Sequence, residues 1–147
     1  MGSAQRKLIT EPFIIGNIKI TAVPVGKSKS VSVFIFEESG HKVIYAPCDC
    51  KPFPMDEQMR NSEMLIIGNT FIGDTLKDDR IIGADHPLRQ ELHSMEDVLE
   101  IKKKLSIGDV IITHIEEDWG KSYDDYVVLE RNYSGVKFAY DGMVVEI

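Results

Sequence analysis

Apolar residues in this chain come mostly in short runs, broken by small clusters of polar residues, Gly and Pro. Phe13 to Ile15, Ile18 to Val23 and Val31 to Phe36 are rich in β-branched and aromatic residues, and Gly16-Asn17 separates the first two as a turn. Gly26-Lys27-Ser28-Lys29-Ser30 joins the second to the third, and Glu37-Glu38-Ser39-Gly40 turns into a fourth run, Lys42 to Ala46. This start predicts an antiparallel meander entering a sheet. Met64 to Ile67 and Asp109 to Thr113 are further apolar strands, each ending abruptly in polar residues.

Two segments have the helical period instead. Ser94, with Asp97 three residues on, is a near capping box, and Met95, Val98, Leu99, Ile101 and Leu105 share one face. Lys102, Lys103 and Lys104 suit the C-terminal end of that helix dipole, and Gly108 closes the unit. Ser122 can cap a second helix with Tyr126, Leu129 and Tyr123 on its inner side, ended by Gly135. Strand, helix and strand between residues 64 and 113 predict a parallel crossover. Asp141-Gly142 between the runs 136–140 and 143–147 predicts a closing hairpin. Pro52 to Glu63 is a connection with one helical turn near Asp56, and the polar stretch Gly73 to Leu92 is a surface excursion of the length often tied to function. The expected fold is α/β, a mixed β-sheet with helices on one face.

Length and composition narrow the classes. The 147 residues suit one domain, with 43% apolar and 28% charged residues as in ordinary globular proteins. Met1-Gly2-Ser3 reads as a tag, so residues 1–10 are expected to be a tag or disordered start and 11–147 the folded domain. A net charge of −7 argues against general nucleic-acid binding, and no apolar run approaches the ~20 residues of a membrane span. Cys48 and Cys50 are the only cysteines, too few for a secreted disulfide scaffold and too close to pair with each other, which points to a reducing, cytoplasmic setting.

Candidate chemistry gathers at strand ends, where open α/β sheets place their sites. Val110-Ile111-Ile112-Thr113 runs into His114, Val43-Ile44-Tyr45-Ala46 into Pro47-Cys48-Asp49-Cys50, and Met64-Leu65-Ile66-Ile67 into Gly68-Asn69-Thr70. His114 can ligate a metal through neutral imidazole and Asp49 can bridge cations; a capping histidine and a turn carboxylate are the plain alternatives. Cys48 and Cys50 could hold a soft metal or be small inert core residues. His93, just before a helix, could meet an anion there or simply pack.

In order and spacing these pieces resemble the C-terminal half of the metallo-β-lactamase superfamily, nearest its phosphodiesterase and ribonuclease Z branch, over roughly Glu11 to Ile147. Glu11 to Thr21 looks like the middle strands, Val43 to Asp49 like the strand leading to the bridging aspartate, and His93-Ser94-Met95-Glu96 like the segment before the last crossover. Thr113-His114 looks like the final metal ligand, and Phe138 to Met143 like the terminal hairpin. The resemblance implies Asp49 and His114 as metal ligands, Cys48 as a possible ligand, His93 as a catalytic group beside a scissile phosphate, and zinc or manganese as the cofactor.

The chain also departs from that pattern. His-x-His-x-Asp-His is absent, and Lys27, a cation and poor ligand, stands where the family has a histidine, so it could bind an anion instead. The resemblance therefore implies the C-terminal part of a metal-dependent hydrolase of small phosphoesters, inactive alone. The alternatives are a non-catalytic binding or interaction module that keeps the fold without metal, and a redox or metal-handling protein built on Cys48 and Cys50. A half sandwich leaves one sheet face bare. Val31, Val33, Ile35, Ile44, Ile66 and Ile112 are expected there, covered by a homodimer or a complementary N-terminal half across on the order of 2,000 Å².

Overall fold

A computed structural model describes Ile9, residues 11–27, 31–68 and 70–147. The tag-like start, Ile9 apart, and Ser28 to Ser30 of the first loop lie outside the described residues. The strands are β1 (Phe13–Ile15), β2 (Ile18–Pro24), β3 (Ser32–Glu38), β4 (His41–Ala46), β5 (Met64–Gly68), β6 (Thr70–Phe71), β7 (His93–Ser94), β8 (Asp109–Thr113) and β9 (Val136–Phe138). The helices are α1 (Leu88–Glu91), α2 (Met95–Lys104) and α3 (Tyr123–Glu130). Seven strands form one mixed sheet in the order β1-β2-β3-β4-β5-β8-β9, and β6 pairs with β7 in a small second sheet.

The meander predicted from the first strands is present: β1 to β4 pair antiparallel in sequence order. From β4 onward the pairing is parallel, because β5 reaches β8 through α2 and β8 reaches β9 through α3. Both helices start as their sequences require. Ser94 and Ser122 each accept the N–H three residues on, and Asp97 and Asp125 each return the bond to the cap N–H. Gly108 is needed where α2 hands over to β8, since a Cβ there would stand 2.6 Å from the Glu63 carbonyl oxygen.

The strand register separates two faces. On one lie Val33, Ile35, Ile44, Ala46, Leu65, Ile67, Val110, Ile112, Val136 and Phe138. They share a single core with Met95, Val98 and Ile101 of α2 and Tyr126 of α3, and Tyr126 stacks on Phe138 at 4.9 Å between ring centroids. The opposite face carries two apolar ladders: Ala22, Phe34, Tyr45, Ile66 and Ile111, and next to it Phe13, Ile20, Phe36, Val43 and Met64. Of these only Ile20, Met64 and Ile111 are buried, and none of the three belongs to the core. The second face is therefore apolar and half-covered, and it differs from the expected set: Val33, Ile35, Ile44 and Ile112 are at most 1% exposed under the helices, and only Ile66 of the six lies on the open side.

The closing hairpin is the second correction. The turn at Asp141-Gly142 forms, with Met143 N–H on the Tyr140 carbonyl at 3.0 Å, but residues 143–147 make no strand. A two-residue hairpin turn of the Asp-Gly kind needs positive φ at both central residues, and only Gly142 has it. The tail turns onto the open face instead. Met143 and Val145 line a cavity with Met64 and Ile111, and Ile147 lines another with Ile18, Phe36 and Val43.

The 73–92 excursion is tied down at several points. Ile82 is 2% exposed, Thr75 bridges to Ile81, and Arg89 bonds Asp74 and the Gly83 and Ile82 carbonyls while stacking on Phe71. Among the described residues no helix is long and apolar enough to cross a membrane.

Candidate functional site at the strand ends

Since β2, β4, β5, β8 and β9 all run the same way, their C-terminal ends share one edge. Above it stand Lys27 after β2, Pro47-Cys48-Asp49 after β4, Gly68 closing β5 and His114 after β8. β5 lies between β4 and β8, so Gly68 has the two candidate segments on either side. A Cβ built on Gly68 would stand 3.2 Å from the Cys48 nitrogen and 3.5 Å from the His114 Cβ. A side chain here would need the Cys48 backbone to give by a few tenths of an ångström.

Asp49 and His114 both have left-handed backbone, with φ of 61° and 51°. This conformation is uncommon outside glycine and turns both residues sharply away from their strands. Both are exposed, and His114 Nε2 lies 3.5 Å from Glu116 Oε1. Lys27 is exposed at the same edge, two strands away from the Asp49 loop. Asp49, one residue past the Cys48 contact, and His114 are a carboxylate and an imidazole at one edge, types that can begin a metal shell. They do not complete one: zinc takes four ligands, and among the described residues no group of three His, Cys, Asp or Glu could hold an ion.

His93 has a different environment. It sits in β7 opposite Thr70, is 4% exposed, and its Nε2–H donates to the Cys50 carbonyl at 3.3 Å. The ring meets Phe53 edge-on and lines a cavity of about 240 Å³ with Met55, Lys51 and Ile101, none of them a strand-end candidate. Burial, the largest influence, pushes its pKa down, so the ring is neutral at pH 7. Through Cys50 it holds the residue next to Asp49, a supporting contact the sequence did not reveal. Nor did the sequence single out Lys51, which binds the Arg89 and Leu92 carbonyls and the Asp97 carboxylate; Thr70, at the end of the third strand run, has a buried hydroxyl with no partner among the described residues.

A pH dependence follows from His93. The unfolded ring takes up a proton near 6.5 while the folded one resists it, so stability is full above that pH and falls as pH drops below it. Urea unfolding from about pH 7.5 down to about pH 5 should show this slope, and H93Q should flatten it. An unchanged slope in the variant would assign the effect to other groups.

The cysteines separate by environment. Cys50 is 2% exposed, and burial pushes its thiol up to about 11; Cys48 is half-buried, and the two are unpaired. Iodoacetamide should label native protein once, at Cys48, and twice only after unfolding. Rapid native labelling of Cys50 would revive the redox reading.

No family model and no curated protein matches the sequence. Solved structures do match. The metallo-β-lactamase fold protein YhfI from Bacillus subtilis superposes with a TM-score of 0.63 at 18% identity, over 92% of this chain and 52% of its own. A diphosphatase of the PhnP family gives 0.64 at 18% identity, over 97% of this chain and 48% of its own. Zinc-bound PqqB from Methylobacterium extorquens gives 0.67 at 20% identity, over 97% and 52%. This chain has the fold of part of a metallo-β-lactamase fold protein. It spans about half the length of the structures it matches. The expected mixed α/β sheet with helices on one face agrees with that fold.

Proposed function

We propose that this chain is the C-terminal part of a metal-dependent hydrolase acting on a phosphodiester or related ester, and that alone it does not turn substrate over. What supports this is that the Pro47-Cys48 segment leading to Asp49 and the residue His114 both border Gly68 at one sheet edge of a fold shared with a PhnP-family diphosphatase and zinc-bound PqqB. Two donors do not complete the shell of a resident ion. The remaining ligands would come from a second polypeptide unit. The free cysteines support a reducing, cytoplasmic setting for it.

A second reading has support of its own. The broad apolar face and the exposed Lys27 at the site edge suit an interaction module that keeps the fold without metal.

Zinc or manganese titration by calorimetry separates the two. On the hydrolase reading the chain binds one ion weakly, with Kd around 100 µM or above, and both D49N and H114A abolish the binding. Binding that ignores both substitutions, or no binding at all, would favour the module.

A further inference from the structure

We propose that the cavity between α3 and the segment that follows β9 is a binding site for a small free organic cation carrying a quaternary ammonium group, of the kind found in choline. This goes beyond the hydrolase reading and does not depend on metal.

The cavity holds about 200 Å³ and lies at the same sheet edge as His114. Ile115, next along the chain from His114, lines it, and so do Ala139 and Tyr140, which follow β9. Tyr123, Tyr126 and Glu130 of α3 line the other side, at the three- and four-residue spacing that puts side chains on one helical face. With Phe138, four aromatic rings border one small space. Tyr123 and Tyr140 meet at 84° with centroids 5.5 Å apart, and Tyr126 lies 4.9 Å from Phe138 at 39°.

Three observations select the ligand. Aromatic faces are electron-rich, and rings set at steep angles present them to a compact cation from different directions, where a planar ligand would use only one. A carboxylate adds to the attraction: Glu130 is held in the lining by the Phe138 N–H at 2.9 Å. Its other oxygen is 3.3 Å from Lys137 Nζ, but that amine is exposed and outside the lining, so water screens the pair. Glu116, Asp124, Asp125 and Asp141 adjoin lining residues along the chain, against Arg131 and Lys137, so the surrounding charge is negative. Finally, Tyr126 is 9% exposed and its buried hydroxyl has no partner among the described residues. Buried hydroxyls are normally paired, and one left unmet in a cavity wall suits a ligand with a polar group of its own, such as the choline hydroxyl.

The same lining argues against a primary amine. An –NH3+ group brings three donors, and beyond Glu130 no side chain here offers an ionised acceptor. A quaternary ammonium has no N–H to satisfy. The volume, below the ~300 Å³ at which drug-sized pockets begin, sets the ligand small.

The test is a proton NMR titration of the whole chain, without metal, using choline and its neutral isostere 3,3-dimethyl-1-butanol. The choline methyl signal should move upfield under the ring currents and saturate with a Kd in the low-millimolar range, and the alcohol should bind roughly tenfold more weakly. Tyr123 and Tyr140 are 59% and 52% exposed, so Y123A and Y140A leave the fold intact by circular dichroism, yet each should weaken choline roughly fivefold. E130Q keeps an acceptor for the Phe138 N–H and should weaken choline but not the alcohol. V128A, at an exposed position on α3 outside the lining, should change nothing. Equal affinity for the two ligands would reduce the cavity to an apolar hollow and overturn the proposal. So would a choline shift that fails to saturate in the tens-of-millimolar range, or one that ignores both tyrosine variants. Vesicles of phosphatidylcholine at the same headgroup concentration should leave the chain in the supernatant, and co-sedimentation would overturn the assignment to a free ligand. Because metal is absent throughout, failure here leaves the ion titration at Asp49 and His114 untouched.

Discussion

Leu65→Ala should lower the free energy of unfolding by about 3–4 kcal/mol, while Ile66→Ala, one residue further along β5, should cost about 1 kcal/mol. Leu65 is fully buried between Ile44 and Val110 under the helices, so its truncation loses transfer energy and leaves a cavity. Ile66 points the other way, between Tyr45 and Ile111, and its loss opens onto solvent without enclosing a void. A domain is stable by only about 5–15 kcal/mol, so the first substitution removes a large share of that and the second a small one. Urea unfolding at sub-micromolar concentration, below any self-association, measures both. Equal losses would mean that the two faces are covered alike.

The same pair of residues shows where the sequence stopped being legible. Alternation with a period of two locates a strand and splits it into two sides, but it names the buried side only when the other is polar. β3 reads Val33-Phe34-Ile35-Phe36, and β5 reads Met64-Leu65-Ile66-Ile67, apolar on both sides. Such runs say that both faces want cover, not which one the chain itself provides. The bare set drawn from sequence accordingly mixed the two. The helices were legible because their signals are local: Ser94 with Asp97, Ser122 with Asp125, and the apolar period behind Ser94. The closing hairpin was misread because Asp-Gly reports a turn, and the fate of the segment after it depends on a distant apolar surface that competes for Met143, Val145 and Ile147.

At the candidate site, strand ends were enough to place Asp49 and His114 at one edge, since parallel strands joined by crossovers align their C-terminal ends. The left-handed backbone of both residues was not legible, because Asp and His adopt it more often than other types yet still only rarely, so residue type alone does not single out these two positions. Nor was the burial of His93, which depends on Phe53 and on the Cys50 carbonyl some forty positions earlier. The pairing of Thr70 with His93 is of the same kind, two residues on each strand and too short for any periodicity to show.

The isolated chain, given zinc or manganese and a chromogenic phosphodiester, should show turnover at or near the metal-only background. A metal hydrolase owes most of its rate to a fully held ion that lowers the pKa of its bound water and stabilises charge on the substrate, and each such effect amounts to several kcal/mol. An ion held by Asp49 and His114 alone keeps most of its own solvent, exchanges quickly and is not fixed relative to a substrate. The preorganisation behind that stabilisation is then missing, and with it a factor on the order of 10³ or more in rate. His93 does not replace it, being buried, neutral and bound to a carbonyl. The control is H114A: with background turnover in both proteins, the variant should change nothing. If the wild type instead turns over substrate well and H114A abolishes it, then two strand-end ligands and their neighbours suffice, and the view of this chain as an incomplete site is wrong. Adding a polypeptide that carries the His-x-His-x-Asp-His motif in a matching half fold should raise the rate only if it docks beside Gly68. The gain should then vanish in D49N and H114A alike, because each removes one of the two donors this chain brings to the shared edge.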